Sequence, residues 1–187
     1  MVQSVAGNTL HSFRLAVGEI YGDAVVQRGL AMLDPDARLA VEQASSLFWV
    51  SMDTLRRVVD AWSTAASVTP EELTERAVRV STRRNFNTIL RAFLYFTSDE
   101  ALVKRAPLLY ARIRNAGKLT IEYEGRGRAR ALLTEWRNGT DRQMLSLGVS
   151  FEELLLFTGR EHARCTFKRT HDGAIFDLQW GDPLRYR

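Results

Sequence analysis

Three histidines and one cysteine are the side chains in this 187-residue chain best suited to metal or nucleophile chemistry. His11 falls in a helical stretch, His162 opens a strand and His171 lies in a turn. None has the Glu-x-x-His or Cys-x-x-Cys neighbour that a zinc site uses. Cys165 alternates with Ala163 and Phe167, which places it on the inward face of a strand. A free thiol packs there as a small hydrophobe. Nucleophilic use needs a depressed pKa and an adjacent base, and the sequence does not bring His162 to it. Glu71-Glu72 and Glu152-Glu153 are paired carboxylates, and both pairs read as helix-start acids that favour the macrodipole. Gly125 and Gly127 do not precede a helix, so they suit a hairpin turn rather than a phosphate loop. The expectation is a chain with no catalytic residue, no metal ligand and no enzymatic activity.

The basic residues are nearly all arginine, with lysine only at 104, 118 and 168, and the net charge is +4. Arg126, Arg128 and Arg130 alternate along one predicted strand, and His162, Arg164, Thr166 and Lys168 along another. If those strands are neighbours, one sheet face is basic. The candidate partner surface is therefore Arg126, Arg128, Arg130, Arg164 and Lys168, suited to an anionic partner or an acidic protein surface. An ordinary solvated face is the alternative. Nucleic acid is disfavoured, because aromatics are not interleaved with the basic positions.

These side chains need elements to carry them. Leu10, Phe13, Val17 and Ile20 recur at helical spacing over Thr9 to Tyr21, and a second helix follows from Asp23. Asp34-Pro35-Asp36 reads as a turn. Leu47-Phe48-Trp49-Val50 is short, bulky and apolar, and reads as buried. Ser51 or Asp53 caps the next helix, whose inner stripe holds Val58, Val59 and Trp62. Thr69-Pro70-Glu71-Glu72 is a helix start with proline at its first position, and the pattern resumes through Phe86, Ile89 and Phe93. A further helix opens at Ser98-Asp99-Glu100. The period then changes to two: Leu119, Ile121 and Tyr123 alternate with polar residues, and Arg128 to Trp136 returns as the second strand. Asp141 to Thr158 reads as a helix interrupted near Gly148. His162 to Arg169 and Ala174 to Trp180, joined through Asp172-Gly173, form a final hairpin.

Hydrophobic content of 45% and charged content of 26% are ordinary for a globular chain. No apolar run reaches the roughly 18 residues needed to cross a bilayer, and the first residues lack a signal peptide's pattern. A cytoplasmic location with no membrane insertion is the expectation. One cysteine allows no internal disulfide. The expected fold class is α+β in a single domain spanning 1–187: an N-terminal helical bundle over 1–117 packed on a C-terminal antiparallel sheet over 118–187, its two hairpins separated by a helix.

That order of elements resembles the H-NOX (haem nitric-oxide/oxygen binding) fold and its 4-vinyl-reductase-type relatives. Gly7-Asn8-Thr9-Leu10 through Ile20-Tyr21-Gly22-Asp23 is similar to the family's opening, where a short helix ends in a Tyr-Gly step. Arg105-Ala106-Pro107-Leu108-Leu109-Tyr110 with Asn115-Ala116-Gly117 resembles a myxobacterial paralogous family of unknown function. Haem-binding members ligate iron through a histidine on the helix before the sheet, and Ser98 to Tyr110 contains none. Their Tyr-x-Ser-x-Arg motif would here read Tyr123-Glu124-Gly125-Arg126-Gly127. The resemblance with these departures implies an interaction or small-ligand-sensing module of bacterial signalling, with no haem and no other cofactor. An apolar ligand could fill a pocket lined by Trp62, Phe86, Phe93, Tyr123 and Phe167. A protein partner is expected, and a homodimer on base rates. The competing implication is an accessory subunit of an enzyme system, as for the vinyl-reductase relatives.

Overall fold

The computed structural model describes residues 2–85 and 98–181. They form an α+β structure, helices first and hairpins last. It divides into two compact units, Met1–Ser81 with Ile113–Asn115 and Thr82–Arg112 with Ala116–Arg187.

The first unit holds β1 (Ser4–Ala6), α1 (Gly7–Tyr21), α2 (Asp23–Ala31), α3 (Pro35–Glu42), β2 (Trp49–Ser51), α4 (Met52–Ala66) and the greater part of α5 (Pro70–Asn85). Its centre is Trp62, fully buried on the inner stripe of α4. The indole stacks on Phe13 with ring centroids 6.1 Å apart and donates to the Val26 carbonyl at 3.2 Å. Gly29 is the residue that lets α2 come this close, since a Cβ there would stand 2.1 Å from the indole Cδ1.

Two expectations fail in this unit. Asp34-Pro35-Asp36 is a helix entrance instead of a plain turn. The Asp34 carboxylate accepts from the Ala37 N–H at 2.9 Å, and Pro35 sits at a position whose N–H would have no helical partner anyway. That backbone N–H, with the Arg57 guanidinium 2.6 Å away, holds the Asp34 carboxyl below its ordinary range. Leu47, Phe48 and Trp49, expected inside, are 85%, 54% and 51% exposed, and only Val50 is buried. The reason is geometric. β1 and β2 pair antiparallel with Val5 opposite Val50, so alternation turns Val50 inward and Trp49 outward. Leu47 and Phe48 precede the strand in a turn. On its other edge, β1 bridges to Arg114, and its Ser4 N–H donates to Asn115 Oδ1 at 2.6 Å.

The second unit contains most of α6 (Asp99–Ile113), then β3 (Lys118–Gly125), β4 (Arg128–Thr134), α7 (Asp141–Phe157), β5 (Glu161–Arg169) and β6 (Ala174–Gly181). The sheet order is β3-β4-β6-β5, antiparallel throughout. Ala129, Ala131 and Leu133 of β4 and Ala174, Phe176 and Leu178 of β6 make a buried inner face. Phe176 meets Phe151 of α7 edge-on at 5.5 Å. Thr140 and Gln143 cap α7 reciprocally, and the helix runs through Gly148 without the expected interruption. Gly127 closes the first hairpin with φ of 73°, where a Cβ would lie 2.5 Å from the Trp180 carbonyl.

Candidate functional site

The outer face of the sheet is written by its register. Arg128 stands opposite Gln179, which stands opposite Arg164, so one amide is flanked by two arginines across three strands. The next row reads Arg130, Asp177, Thr166, and the one after it Leu132, Ile175, Lys168. β4 and β5 are therefore not neighbours, because β6 lies between them. Arg126 does not share the strand face, since it sits in the hairpin turn. Nor is every position a free charge. Arg130 pairs with Asp177 at 2.9 Å and with Glu124 at 3.3 Å, and these carboxylates raise its already high pKa. Arg128, Arg164 and Lys168 are exposed and make no ion pair among the described residues. The five-residue basic surface thus reduces to three open cations spread over two strands.

The aromatic positions are distributed differently. Trp62 belongs to the core of the first unit. Tyr123 and Phe167 lie partly exposed on the inner side of the sheet in the second unit, with Phe167 6.0 Å from Phe176. Phe86 and Phe93 lie outside the described residues.

Sequence reasoning misread one carboxylate pair and missed a buried arginine. Glu152 and Glu153 do not start a helix. They occupy the last turns of α7, where the macrodipole disfavours an acid. Glu153 is only 1% exposed and receives two donors from Arg83, at 2.5 and 3.1 Å. Glu152 accepts the Cys165 backbone N–H at 2.9 Å. Arg160 is buried as well. It grips Asp99 at 2.7 Å, while Trp180 donates its indole N–H to the other Asp99 oxygen at 3.0 Å. One signal was present for Glu153: it follows buried Val149 by four residues, on the same helical face. Arg160 and Asp99 are 61 residues apart and carry no such local signal.

Burial, with Glu152 and Asp177 nearby, pushes the Cys165 thiol up to about 12. It therefore stays protonated at neutral pH and is a poor nucleophile. The side chains of His11, His162 and His171 are all exposed. No group of three or more His, Cys, Asp or Glu suited to holding a metal occurs among the described residues. No helix among them is long and apolar enough to cross a membrane.

No family model and no curated protein matches the chain. Solved structures do. The ferrous unliganded H-NOX protein from K. algicida superposes with a TM-score of 0.70 at 11% identity, covering 97% of this chain and 100% of that one. An oxygen-binding H-NOX domain related to soluble guanylate cyclases, in its oxygen complex, gives 0.67 at 14% identity over 97% and 98%. A structure described as probing haem distortion in the H-NOX family gives 0.65 at 15% identity over 97% and 98%.

These matches correct the expectation of a chain without haem or other cofactor. Structures sharing its fold along nearly its whole length are described by ferrous iron, bound oxygen and haem. The expectation rested on one absent histidine and one altered five-residue motif. Those are two contact points, whereas much of what holds haem in a haem protein is surrounding polarity and burial that a short motif does not sample. On the donors themselves, the described histidines all face solvent and the described cysteine is a protonated thiol, so none of them fits an interior iron ligand. At identities of 11–15% the likeness establishes architecture alone: the chain has the H-NOX fold.

Proposed function

We propose that this chain is a sensing and interaction module of bacterial signalling, built on the H-NOX fold, that works by binding and hands its signal to a protein partner. The support for sensing is the likeness to H-NOX structures, one of them an oxygen-binding domain related to guanylate cyclases. The observation that carries the docking half is the outer sheet face. There Arg128 and Arg164 converge on Gln179, with Lys168 two residues beyond Thr166 on the same strand face, and none of the three is neutralised among the described residues.

Open guanidinium groups on a flat, rigid sheet suit carboxylates of a partner, which they bind in bidentate fashion. Burial on the other face fixes the sheet, so little ordering cost falls on the strands themselves. In this proposal the partner is an acidic protein surface and the site binds without turnover.

The test is capture of a partner from the native cell by the whole chain, repeated with the double variant Arg128→Glu and Arg164→Glu. Capture by the wild type that weakens with salt and is lost in the double variant supports the proposal. Equal capture by both forms sinks the sheet-face assignment.

A further inference from the structure

The three exposed apolar residues before and within β2 are left unused by the sheet-face proposal, and their backbone says what kind of chain covers them. Gly7 donates its N–H to the Phe48 carbonyl at 2.7 Å, and Met52 donates to the Gln3 carbonyl at 2.9 Å. With Val5 opposite Val50, residues 48, 50 and 52 therefore turn their backbone groups toward β1. Trp49, between them, turns its N–H and C=O the other way, to the outer edge of the ribbon, where neither has a partner among the described residues. β1 is covered on its far side by Arg114, whereas β2 is an open edge among the described residues.

An open strand edge selects an extended chain, because only that geometry satisfies its N–H and C=O groups in one plane. The side chains around it select for an apolar, uncharged one. Leu47, Phe48 and Trp49 are the exposed bulky residues, and Gln43 through Met52 contains no charged residue. Acidic Glu42 and Asp53 bracket the stretch, which disfavours an anionic lipid surface as the occupant.

We infer that β2 pairs antiparallel with β2 of a second copy of this chain. The second copy brings an open edge, a matching apolar stretch and no opposing charge. A two-fold axis through Trp49 makes Trp49 and its equivalent a reciprocal hydrogen-bonded pair, with Phe48 facing the partner's Val50. The two indoles then stand about 5.5 Å apart at Cα on one face of the ribbon, the spacing at which cross-strand aromatic pairs stabilise. Joining the two ribbons removes the exposed edge from both copies. This inference is independent of the sheet-face proposal, since it uses a different unit and no charged side chain.

The test is sedimentation equilibrium of the full chain from micromolar to near-millimolar concentration. The wild type is expected to dimerise reversibly. Trp49→Lys puts a charge at the centre of the edge and should weaken association at least about thirtyfold, as loss of a central aromatic anchor does. Leu47→Lys lies outside the strand, cannot disturb the ribbon's own hydrogen bonds, and should also weaken the dimer. A wild type that remains monomeric throughout overturns the inference and leaves the edge to a different protein. A dimer that both lysine variants retain unchanged overturns it too.

Discussion

The first unit contains two aromatic regions of nearly equal hydrophobicity and opposite fate. Phe13 and Trp62 are buried against each other, with Trp62 also against Gly29, while Leu47, Phe48 and Trp49 stand largely in water. Residue type does not separate them. Trp62 sits on a helix whose Val58 and Val59 recur on the same stripe, so its burial is shared with neighbours a turn away. Trp49 sits in a three-residue strand where adjacent residues face opposite ways, and Val50 has the inward place. Periodicity decides burial here, and bulk does not.

If that account holds, Trp62→Ala should produce the largest loss. The indole is fully buried and loses its hydrogen bond to Val26 as well, so a cost of about 3–5 kcal/mol is expected in urea unfolding. A loss below about 1 kcal/mol would mean that the interior cluster is no better packed than the surface one.

Gly29→Ala sharpens the comparison by testing why the interior cluster is tight. Alanine gains roughly 1 kcal/mol over glycine in a helix interior. Against this, the added Cβ lies 2.1 Å from the Trp62 ring, which must move, and overpacking of this kind costs about 1–3 kcal/mol. The steric term should win, with a net loss on the order of 1 kcal/mol and a changed Trp62 fluorescence spectrum. A gain in stability would show that the indole relaxes freely, removing the contrast with the surface residues.

The same contrast explains what the sequence made legible. Helices α1, α4, α5 and α7 and both hairpins could be read because each carries its own period and stop signals: the Tyr21-Gly22 end, the Thr69-Pro70 start, the Asp172-Gly173 turn. α3 carried in Asp34-Pro35 the same cap-then-proline start signal that α5 carries in Thr69-Pro70, but Ala37 and Val41 make a weak apolar stripe, and the segment passed for a turn. β1 and β2 are three residues each, too short for any period to show. On the sheet, alternation located the outward faces of β4 and β5 at Arg128, Arg130, Arg164 and Lys168. It could not show that β6 intervenes, nor that Asp177 on β6 takes Arg130 out of the free set. Buried Glu153 and buried Arg160 find their partners, Arg83 and Asp99, far away in sequence, so only the folded chain reveals the pairs.

The smallest expected effect is at the surface cluster. Leu47 keeps 85% of its area in water, so Leu47→Ser removes almost no burial within one copy. At a concentration where the chain is monomeric, its unfolding free energy should stay within about 0.5 kcal/mol of the wild type. The sign of any small change favours neither residue strongly, because the turn at Leu47 suits serine while the remaining contacts suit leucine. Raising the protein concentration should separate the two. Association adds stability to the folded state by mass action, so the wild-type melting temperature should climb with concentration while that of Leu47→Ser climbs less. Parallel curves for the two proteins would show that the exposed leucine is indifferent to assembly. A loss of several kcal/mol at low concentration would show instead that it is packed in the monomer, and the distinction between the two aromatic regions would collapse.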